Sequence, residues 1–358
     1  MFFYIHIPFC RQKCLYCKFA LTSKFDGLKI RTYIDALKNE ISWFFEQNPH
    51  TSIESIYFGG GTPSVLTSEQ IGEILNTFFK KIPPTPFNKG GKTIEITLES
   101  NPEDITGDYL EEITGLWINR LSLGVQTLNS ESLRMIGRAD SNESIYRALE
   151  RLAKSPIENI SIDLIAGLLG THSGQVVSDL NTIFSYVIPK HVSIYMLEDE
   201  SYPANWKTHL PSEDMIRAEY ISGAEWLQST GFHRYELSNF SQPGFESKHN
   251  QSYWNHSNYR GFWLSAASFV DGKRFTNNPS FSGYYKGVMQ SEILESESLR
   301  IERIMFGLRT SWVHIREFHN QYILEKFSQA GLIEVQENKV FPTSTWIFLI
   351  DHIIGELI

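Results

Sequence analysis

The stretch Cys10-Arg-Gln-Lys-Cys14-Leu-Tyr-Cys17 contains every cysteine of this 358-residue chain. Three thiols within eight residues, with none elsewhere, cannot form a disulfide framework, and the spacing indicates a metal site instead. Three thiolates would hold three irons of a [4Fe–4S] cluster and leave the fourth iron open to an exchangeable ligand. The alternative is a zinc ion, which takes four protein ligands or three and a water; this spacing is unusual for it.

Around this stretch, predicted strands and amphipathic helices alternate up to about residue 200. Strands are predicted at Phe2–Ile7, Ser52–Phe58, Lys92–Leu98, Ile118–Leu123, Asn159–Leu164 and His191–Met196. Helices are predicted at Arg31–Gln47, Ser68–Lys81, Thr106–Leu116, Asn142–Ala153, Gly174–Tyr186 and Glu213–Ser229. One apolar stripe on the first helix is formed by Ile34, Leu37, Ile41 and Phe44. This α/β order predicts a parallel sheet with helices outside it, as an open sheet or a partial barrel.

Glycine and polar residues recur at the carboxyl ends of the predicted strands. They are Cys10–Cys17 after the first strand, Gly59–Thr62 after the second, Glu99 after the third, Gln126 after the fourth and Asp163 near the end of the fifth. In barrels and open α/β sheets, ligands bind at this edge. We therefore expect a single site there, assembled from five separate stretches.

The pattern changes twice along the chain, which predicts a core at 1–235, a bridging segment at 236–290 and a C-terminal domain at 291–358. The C-terminal elements are predicted as helices at Glu297–Thr310 and Ile315–Ala330, a hairpin of Leu332–Val335 and Lys339–Phe341, and a closing helix. Helices followed by a hairpin are typical of a winged-helix-like module.

Charge and hydropathy exclude several classes of partner. The net charge is −9, and residues 290–358 hold 6 Lys or Arg against 10 Asp or Glu, so we expect no nucleic-acid binding. No apolar run approaches the ~20 residues of a membrane span, and no basic segment precedes the short apolar start. We expect a cytoplasmic protein.

The segment from Tyr4 to Phe19 resembles the radical S-adenosylmethionine enzymes, more narrowly the oxygen-independent coproporphyrinogen III oxidase family and its haem-chaperone branch. The resemblance implies a partial (β/α)6 TIM-like barrel with a smaller, winged-helix-like C-terminal domain. It also implies that Cys10, Cys14 and Cys17 hold a [4Fe–4S] cluster whose open iron is chelated by S-adenosylmethionine. Reductive cleavage would then produce a 5′-deoxyadenosyl radical.

The resemblance assigns further residues to the S-adenosylmethionine cavity. Gly60, Gly61 and Thr62 would lie along its amino-acid end, where glycines let backbone N–H groups approach a carboxylate. Glu99 would accept hydrogen bonds from the ribose hydroxyls. The other residues that line or flank the cavity would be Tyr4, Tyr16, Gln126, Arg138 and Asp163. Each of these could otherwise be an ordinary core, capping, solvated or strand-end residue.

Two features separate the branches of this family. Phe19 stands where the decarboxylating relatives carry a further cysteine. His249 opens a His-Asn-x-x-Tyr-Trp motif associated with haem handling, and histidine is the commonest axial ligand of haem iron. Two segments, Gly167–Gly170 and Gly261–Ser268, depart from the family pattern.

The function that this resemblance implies is a haem chaperone, which binds haem as cargo and transfers it to haem-requiring proteins. An electron donor would reduce the cluster. One alternative is coproporphyrinogen III dehydrogenase, although no compact Arg or Lys cluster is found in the strand-end loops to bind propionates. The second alternative is a non-enzymatic scaffold whose cluster serves to form a homodimer. Whether the chain is an enzyme stays open.

Overall fold

The computed structural model of the protein describes residues 1–80, 93–197, 206, 209–287, 289–343 and 348–357. The strands are β1 (Phe2–Ile7), β2 (Ser55–Gly60), β3 (Glu95–Ser100), β4 (Arg120–Gln126), β5 (Asn159–Ala166), β6 (His191–Met196), β7 (His233–Arg234), β8 (Asn239–Ser241), β9 (Tyr259–Phe262), β10 (Ala267–Val270), β11 (Lys273–Asn277), β12 (Met289–Ile293), β13 (Val313–His314), β14 (Ile333–Gln336) and β15 (Lys339–Pro342). The helices are α1 (Gly27–Gln47), α2 (Ser68–Phe79), α3 (Gly107–Gly115), α4 (Ser130–Met135), α5 (Asn142–Leu152), α6 (Gln175–Tyr186), α7 (Glu213–Ser229), α8 (Lys248–Trp254), α9 (Phe281–Tyr285), α10 (Ser296–Thr310), α11 (Gln321–Gln329) and α12 (Ile350–Leu357).

The core is a mixed sheet in which β1 to β6 lie side by side in chain order and run parallel. β9 pairs in parallel with the free side of β1, and β8 pairs antiparallel with β6. The order is β12-β11-β10-β9-β1-β2-β3-β4-β5-β6-β8-β7, so the described strands do not close into a full barrel. The predicted α/β fold with six parallel strands is confirmed.

Local sequence signals explain the first two helices. The predicted stripe of Ile34, Leu37, Ile41 and Phe44 is buried. α1 begins at Gly27 and not at the predicted Arg31, because Asp26 caps the helix by accepting from the Lys29 backbone N–H at 2.9 Å. Thr67 and Gln70 form a capping box at the start of α2. Lys81 and Lys92, where a predicted helix ended and a predicted strand began, lie outside the described residues.

The two faces of the parallel sheet differ in character because side chains alternate along each strand. Phe3 of β1 faces the helices, with its ring centroid 5.6 Å from that of Phe44 in α1 and 5.3 Å from that of Phe78 in α2. Tyr4 and His6 project to the opposite, inner face, where they share a hydrogen bond of 3.1 Å. The inner face is therefore the one that offers polar groups to a site.

The C-terminal residues form a smaller unit around the three-stranded sheet β13-β15-β14. The predicted hairpin is present as β14 and β15. The predicted single helix at Ile315–Ala330 is wrong: a 3₁₀ turn at Ile315–Glu317 ends in the extended Phe318, and Asn320 then caps α11 by accepting from the Ile323 backbone N–H. Segment 236–290 contributes β8 to β11 and the first residues of β12 to the main sheet, and the division into three domains stays a prediction.

No described helix is long and apolar enough to span a bilayer.

Candidate functional site

The cysteine loop follows β1 and is held at both sides. It folds back on itself, since the Cys10 backbone N–H donates to the Thr22 carbonyl at 3.2 Å. On its other side, the Leu15 backbone N–H donates to the Ile136 carbonyl at 3.0 Å, and Gln12 Nε2 donates to the Gly137 carbonyl at 2.7 Å. The loop is therefore tied to the segment between α4 and α5 that also carries Arg138.

The thiols sit in a low-polarity environment. Cys10 is buried, and the Thr62 hydroxyl donates to its sulfur at 3.1 Å. Burial raises the pKa of the Cys14 and Cys17 thiols, and the nearby Arg138 guanidinium acts in the opposite direction on Cys14. Ligation of a metal by these thiolates must therefore release protons.

The donor set of the loop is three thiols. Among the residues described, no group of three or more His, Cys, Asp or Glu side chains is placed to hold a single metal ion. A structural zinc ion would need a fourth protein ligand. A cubane would take one thiolate at each of three irons, so three thiols suit a cluster.

The glycines after β2 serve close chain approach. A Cβ on Gly60 would lie 2.6 Å from His6 Nδ1, and one on Gly61 would lie 2.4 Å from the Phe9 carbonyl oxygen. Their N–H groups are already bonded, since Gly60 donates to Glu99 Oε2 at 3.2 Å and Gly61 to a β1 carbonyl. Thr62 N–H also donates to the Phe9 carbonyl, at 2.7 Å. In this conformation these N–H groups are bonded within the protein, and their approach to a ligand carboxylate stays a prediction.

Two carboxylates point from strand ends into the site. Glu99 on β3 accepts from the Tyr57 hydroxyl at 2.8 Å, yet burial raises its pKa to about 7, helped by the nearby Asp163. Burial also raises the pKa of Asp163 on β5, whose Oδ2 accepts from the Ser122 hydroxyl at 3.0 Å. Both groups are incompletely solvated and suited to accept hydrogen bonds from a polar ligand.

Arg138 is the buried cation of the site. It pairs with Asp140 at 2.6 Å, with side chains that are 6% and 1% exposed. It also donates to the Gly124 carbonyl at 2.5 Å, while its Nε is buried without a partner among the described residues. Although burial opposes it, the nearby Tyr16, Asp140 and Cys14 raise the pKa of Arg138. An unpartnered buried donor beside Cys14 is the feature expected where an anionic group binds.

Gln126 ends β4 in a strained conformation. Its φ is 67°, in the left-handed region, and the ladder between β4 and β5 shifts register between Gly124 and Gln126. A Cβ on Gly124 would lie 2.8 Å from Gln126 Nε2, so the glycine leaves room for the Gln126 side chain. Such strain is typical of residues positioned for function.

A cavity of about 380 Å³ joins these residues. Among the predicted residues, those that line it are Cys10, Cys14, Cys17, Tyr16, Gly60, Gly61, Thr62, Glu99, Gln126, Arg138 and Asp163. Asn101, Ser122, Tyr195, Met196 and Leu197 also line it, although the sequence patterns did not indicate them. Four of these residues lie at or just after the ends of β3 and β6, and that position is the signal that could have identified them. Ser122 is the third residue of β4 and carries no such signal.

Tyr4 and His249 do not line this cavity. Tyr4 lies beneath it and stacks on Tyr57, with centroids 6.2 Å apart. His249 is 1% exposed, and its ring nitrogens share hydrogen bonds with the Ser55 and Tyr253 hydroxyls at 2.7 and 2.8 Å. Burial lowers its pKa to about 3. In this conformation His249 has no free ring nitrogen for a haem iron, so its role as axial ligand stays a prediction.

Comparison with known proteins identifies the relatives. Residues 4–183 match the family model described as the Radical SAM superfamily. Heme chaperone HemW of Lactococcus lactis subsp. lactis (strain IL1403) is 35% identical over 331 residues, which cover 89% of this chain and 84% of that protein. Heme chaperone HemW of Bacillus subtilis (strain 168) is 29% identical over 379 residues, covering 98% and 97%. Coproporphyrinogen III oxidase (HemN) from Escherichia coli, a radical SAM enzyme, shares the fold: its TM-score is 0.79 at 20% identity, covering 99% of this chain and 88% of that one.

Proposed function

The chain belongs to the radical S-adenosylmethionine superfamily and, within it, to the family of the heme chaperones HemW, and we propose that it binds haem and transfers it to haem-requiring proteins. Membership of the superfamily implies a [4Fe–4S] cluster and S-adenosylmethionine as cofactors. The observation that carries the proposal is the identity of 35% with a heme chaperone over most of both chains.

In this proposal, Cys10, Cys14 and Cys17 hold the cluster at one side of the cavity. The Thr62 hydroxyl, which donates to Cys10 Sγ, would steady that ligand. When bound, the cluster supplies an electron-transfer centre with an open iron for S-adenosylmethionine. Arg138 Nε, buried and unpartnered among the described residues, would donate to the carboxylate of S-adenosylmethionine.

Glu99 would bind the ribose of S-adenosylmethionine. Its Oε1 accepts from Tyr57 and its Oε2 from Gly60 N–H, which leaves further lone pairs for the two ribose hydroxyls. Because its pKa is about 7, the fraction of ionised Glu99 increases with pH across the neutral range. Binding of S-adenosylmethionine should therefore tighten as the pH rises through 7.

The mouth of the cavity supports a haem-contacting role. Phe19, which replaces the cysteine of the decarboxylating relatives, lines the cavity and is 60% exposed. Tyr195, which also lines the cavity, and Leu15 of the cysteine loop are exposed as well. Exposed aromatic side chains offer a porphyrin a flat apolar contact. Haem-requiring acceptor proteins, an electron donor and a homodimer are part of the proposal.

The test uses the anaerobically reconstituted protein. Titration with haemin should produce a Soret band beyond the cluster spectrum, and the haem should then pass to a haem-free acceptor enzyme and restore its activity. A parallel assay with coproporphyrinogen III should yield no protoporphyrinogen. Failure to bind haem would refute the chaperone function, and porphyrinogen turnover would favour the dehydrogenase.

A further inference from the structure

The helix that carries the His-Asn-x-x-Tyr-Trp motif lies at the end of the sheet opposite the cavity. The N-terminus of this helix, α8, is bonded to Glu95, the first residue of β3. The backbone N–H groups of Lys248 and His249 donate to the Glu95 carboxylate at 3.1 and 3.0 Å. The His249 ring also bonds to Ser55, the first residue of β2. α8 is thus fixed to the amino ends of β2 and β3, and the carboxyl ends of these two strands border the cavity.

Every aromatic side chain of the motif has a partner within the protein. His249 bonds to Ser55 and Tyr253, and the Tyr253 ring meets Tyr259 edge-on at 4.6 Å. Trp254 packs edge-on against Phe306 of α10 at 5.5 Å. The aromatic side chains of the motif therefore pack inside the protein and against α10 of the C-terminal unit.

One line of contacts connects His249 to the pocket. Its ring stacks on Tyr57, with centroids 4.9 Å apart and planes at 28°. The Tyr57 hydroxyl donates to Glu99 Oε1 at 2.8 Å. A Cβ on Gly59 would lie 2.9 Å from both the Tyr4 and Tyr57 rings, so the glycine leaves these two rings the space they occupy. Removing the His249 ring would open space beside Tyr57.

We propose that α8 supports the S-adenosylmethionine pocket from the opposite end of the sheet and that His249 is a positioning residue, which holds Tyr57 so that Tyr57 fixes Glu99. This inference rests on the proposed binding of ribose by Glu99. It assigns the motif to the support of the S-adenosylmethionine site and not to haem ligation.

The charge environment of Glu99 makes pH a sensitive readout. The groups that act on Glu99 are Tyr57 of β2, Asp163 of β5, the Gly60 backbone N–H and Arg120 of β4. The Glu99 charge in turn raises the pKa of the titratable groups that face it from other elements, which are Tyr4 of β1, Tyr195 of β6, Tyr253 of α8 and Cys17 of the cysteine loop. Of the groups that act on Glu99, the Tyr57 hydroxyl favours the ionised form by donating to it. If Tyr57 moves, the pKa of Glu99 should rise, and the pH at which nucleotide binding is half-maximal should rise with it.

The chain contains a matched control. His191 of β6 is equally buried and is bonded in the same way, through Ser161 and Tyr235 at 2.8 Å each. Its ring contacts the Tyr235 ring edge-on, with centroids 5.6 Å apart. His191→Ala therefore measures the cost of removing a buried, doubly bonded histidine while the His249 ring stays stacked on Tyr57.

The experiment measures S-adenosylmethionine and haem affinity of the reconstituted protein between pH 6 and 8.5. His249→Ala and Tyr57→Phe should each weaken S-adenosylmethionine binding by about 5- to 10-fold. Each should also raise the pH at which that binding is half-maximal. His249→Phe, which keeps a flat ring but cannot ligate iron, should stay within about 3-fold of the parent, as should His191→Ala. Haem affinity should be unchanged in all four variants.

Three results would overturn the inference: unchanged nucleotide binding in His249→Ala, an equal loss in His191→Ala, or loss of haem affinity in His249→Phe. Where His249→Phe fails to fold, Tyr57→Phe is the deciding variant. If its pH midpoint for S-adenosylmethionine binding is unchanged, Tyr57 does not fix Glu99 and the inference is wrong.

Two further results concern the proposed function. If Glu99→Gln binds S-adenosylmethionine as well as the parent does, the proposed ribose site is wrong. If the parent does not bind haem, the chaperone function is wrong, while the support of Glu99 by His249 and Tyr57 can still be measured.

Discussion

The two ends of the parallel sheet are both rich in polar side chains, but these side chains face different surroundings. At the carboxyl end, Glu99, Asp163 and Arg138 line the cavity, and burial raises the pKa of both carboxyl groups. At the amino end, both ring nitrogens of His249 and of His191 are bonded to hydroxyl groups inside the protein. An unpartnered buried atom does not by itself mark the ligand site, because Arg120 Nε at the start of β4 lacks a partner among the described residues just as Arg138 Nε does. The cavity marks it.

The largest expected effect is at the carboxyl end. Cys14→Ala should abolish the absorption of the reconstituted cluster at ~400 nm, since two thiolates cannot hold a site-differentiated cubane. Lys13→Ala, in the same loop, is the control and should retain it. Four irons per chain in Cys14→Ala would contradict the assignment of the cluster.

Arg138→Met tests how far the buried ion pair supports the same end. It leaves the Asp140 carboxylate, 1% exposed, without its cation, which should lower the free energy of unfolding by about 3–5 kcal/mol in urea titrations. The double variant Arg138→Met/Asp140→Asn should recover part of this loss. Equal stability of the single variant and the parent would show that the pair is not needed.

Glu99→Gln should have opposite effects on binding and on stability. The nucleotide should bind more weakly by about 1.5–3 kcal/mol, since a charge-assisted acceptor is lost. The pKa of Glu99 is about 7 in the folded chain against 4.5 for an unperturbed glutamate, so the folded state binds more protons between these values. Stability of the cofactor-free parent should therefore fall as pH rises from 4.5 to 7.

Glu99→Gln removes that dependence and should stabilise the cofactor-free chain at pH 8 by about 1–3 kcal/mol. Calorimetry of nucleotide binding and urea titrations at pH 5 and pH 8 measure the two effects. A parent whose unfolding free energy is the same at both pH values would mean that Glu99 is solvated.

The smallest effect is expected at the amino end. Tyr253→Phe removes one hydrogen bond to His249 while keeping the edge-on rings, and should cost about 0.5–1.5 kcal/mol of stability. Nucleotide affinity should change by less than about 2-fold, since the His249–Tyr57 stack is retained. A large loss of affinity in Tyr253→Phe would mean that the hydrogen bond to His249, and not the His249–Tyr57 stack, supports the site.

The parallel strands, the site edge and the cysteine loop were predictable because each depends on local signals. Alternating β-branched runs and amphipathic stripes specify elements, and parallel strands bring their carboxyl ends to one edge. The bonds of the glycines after β2 were not predictable: their N–H groups bond to Glu99 and to β1, a consequence of chain packing that no local pattern reports. Tyr195 was missed because a strand-end aromatic residue has the same local pattern in a core as in a cavity.

The sequence by itself determined the α/β order, the three cysteines of the cluster loop and the strand ends that border the cavity. Only the tertiary structure decided which polar residues face that cavity and which are sealed away. His249 and Glu99 are 150 residues apart in the chain, and their connection through Tyr57 exists only because the sheet brings β2, β3 and α8 together. Burial and pairing are properties of the folded surroundings, and a sequence motif does not contain its surroundings.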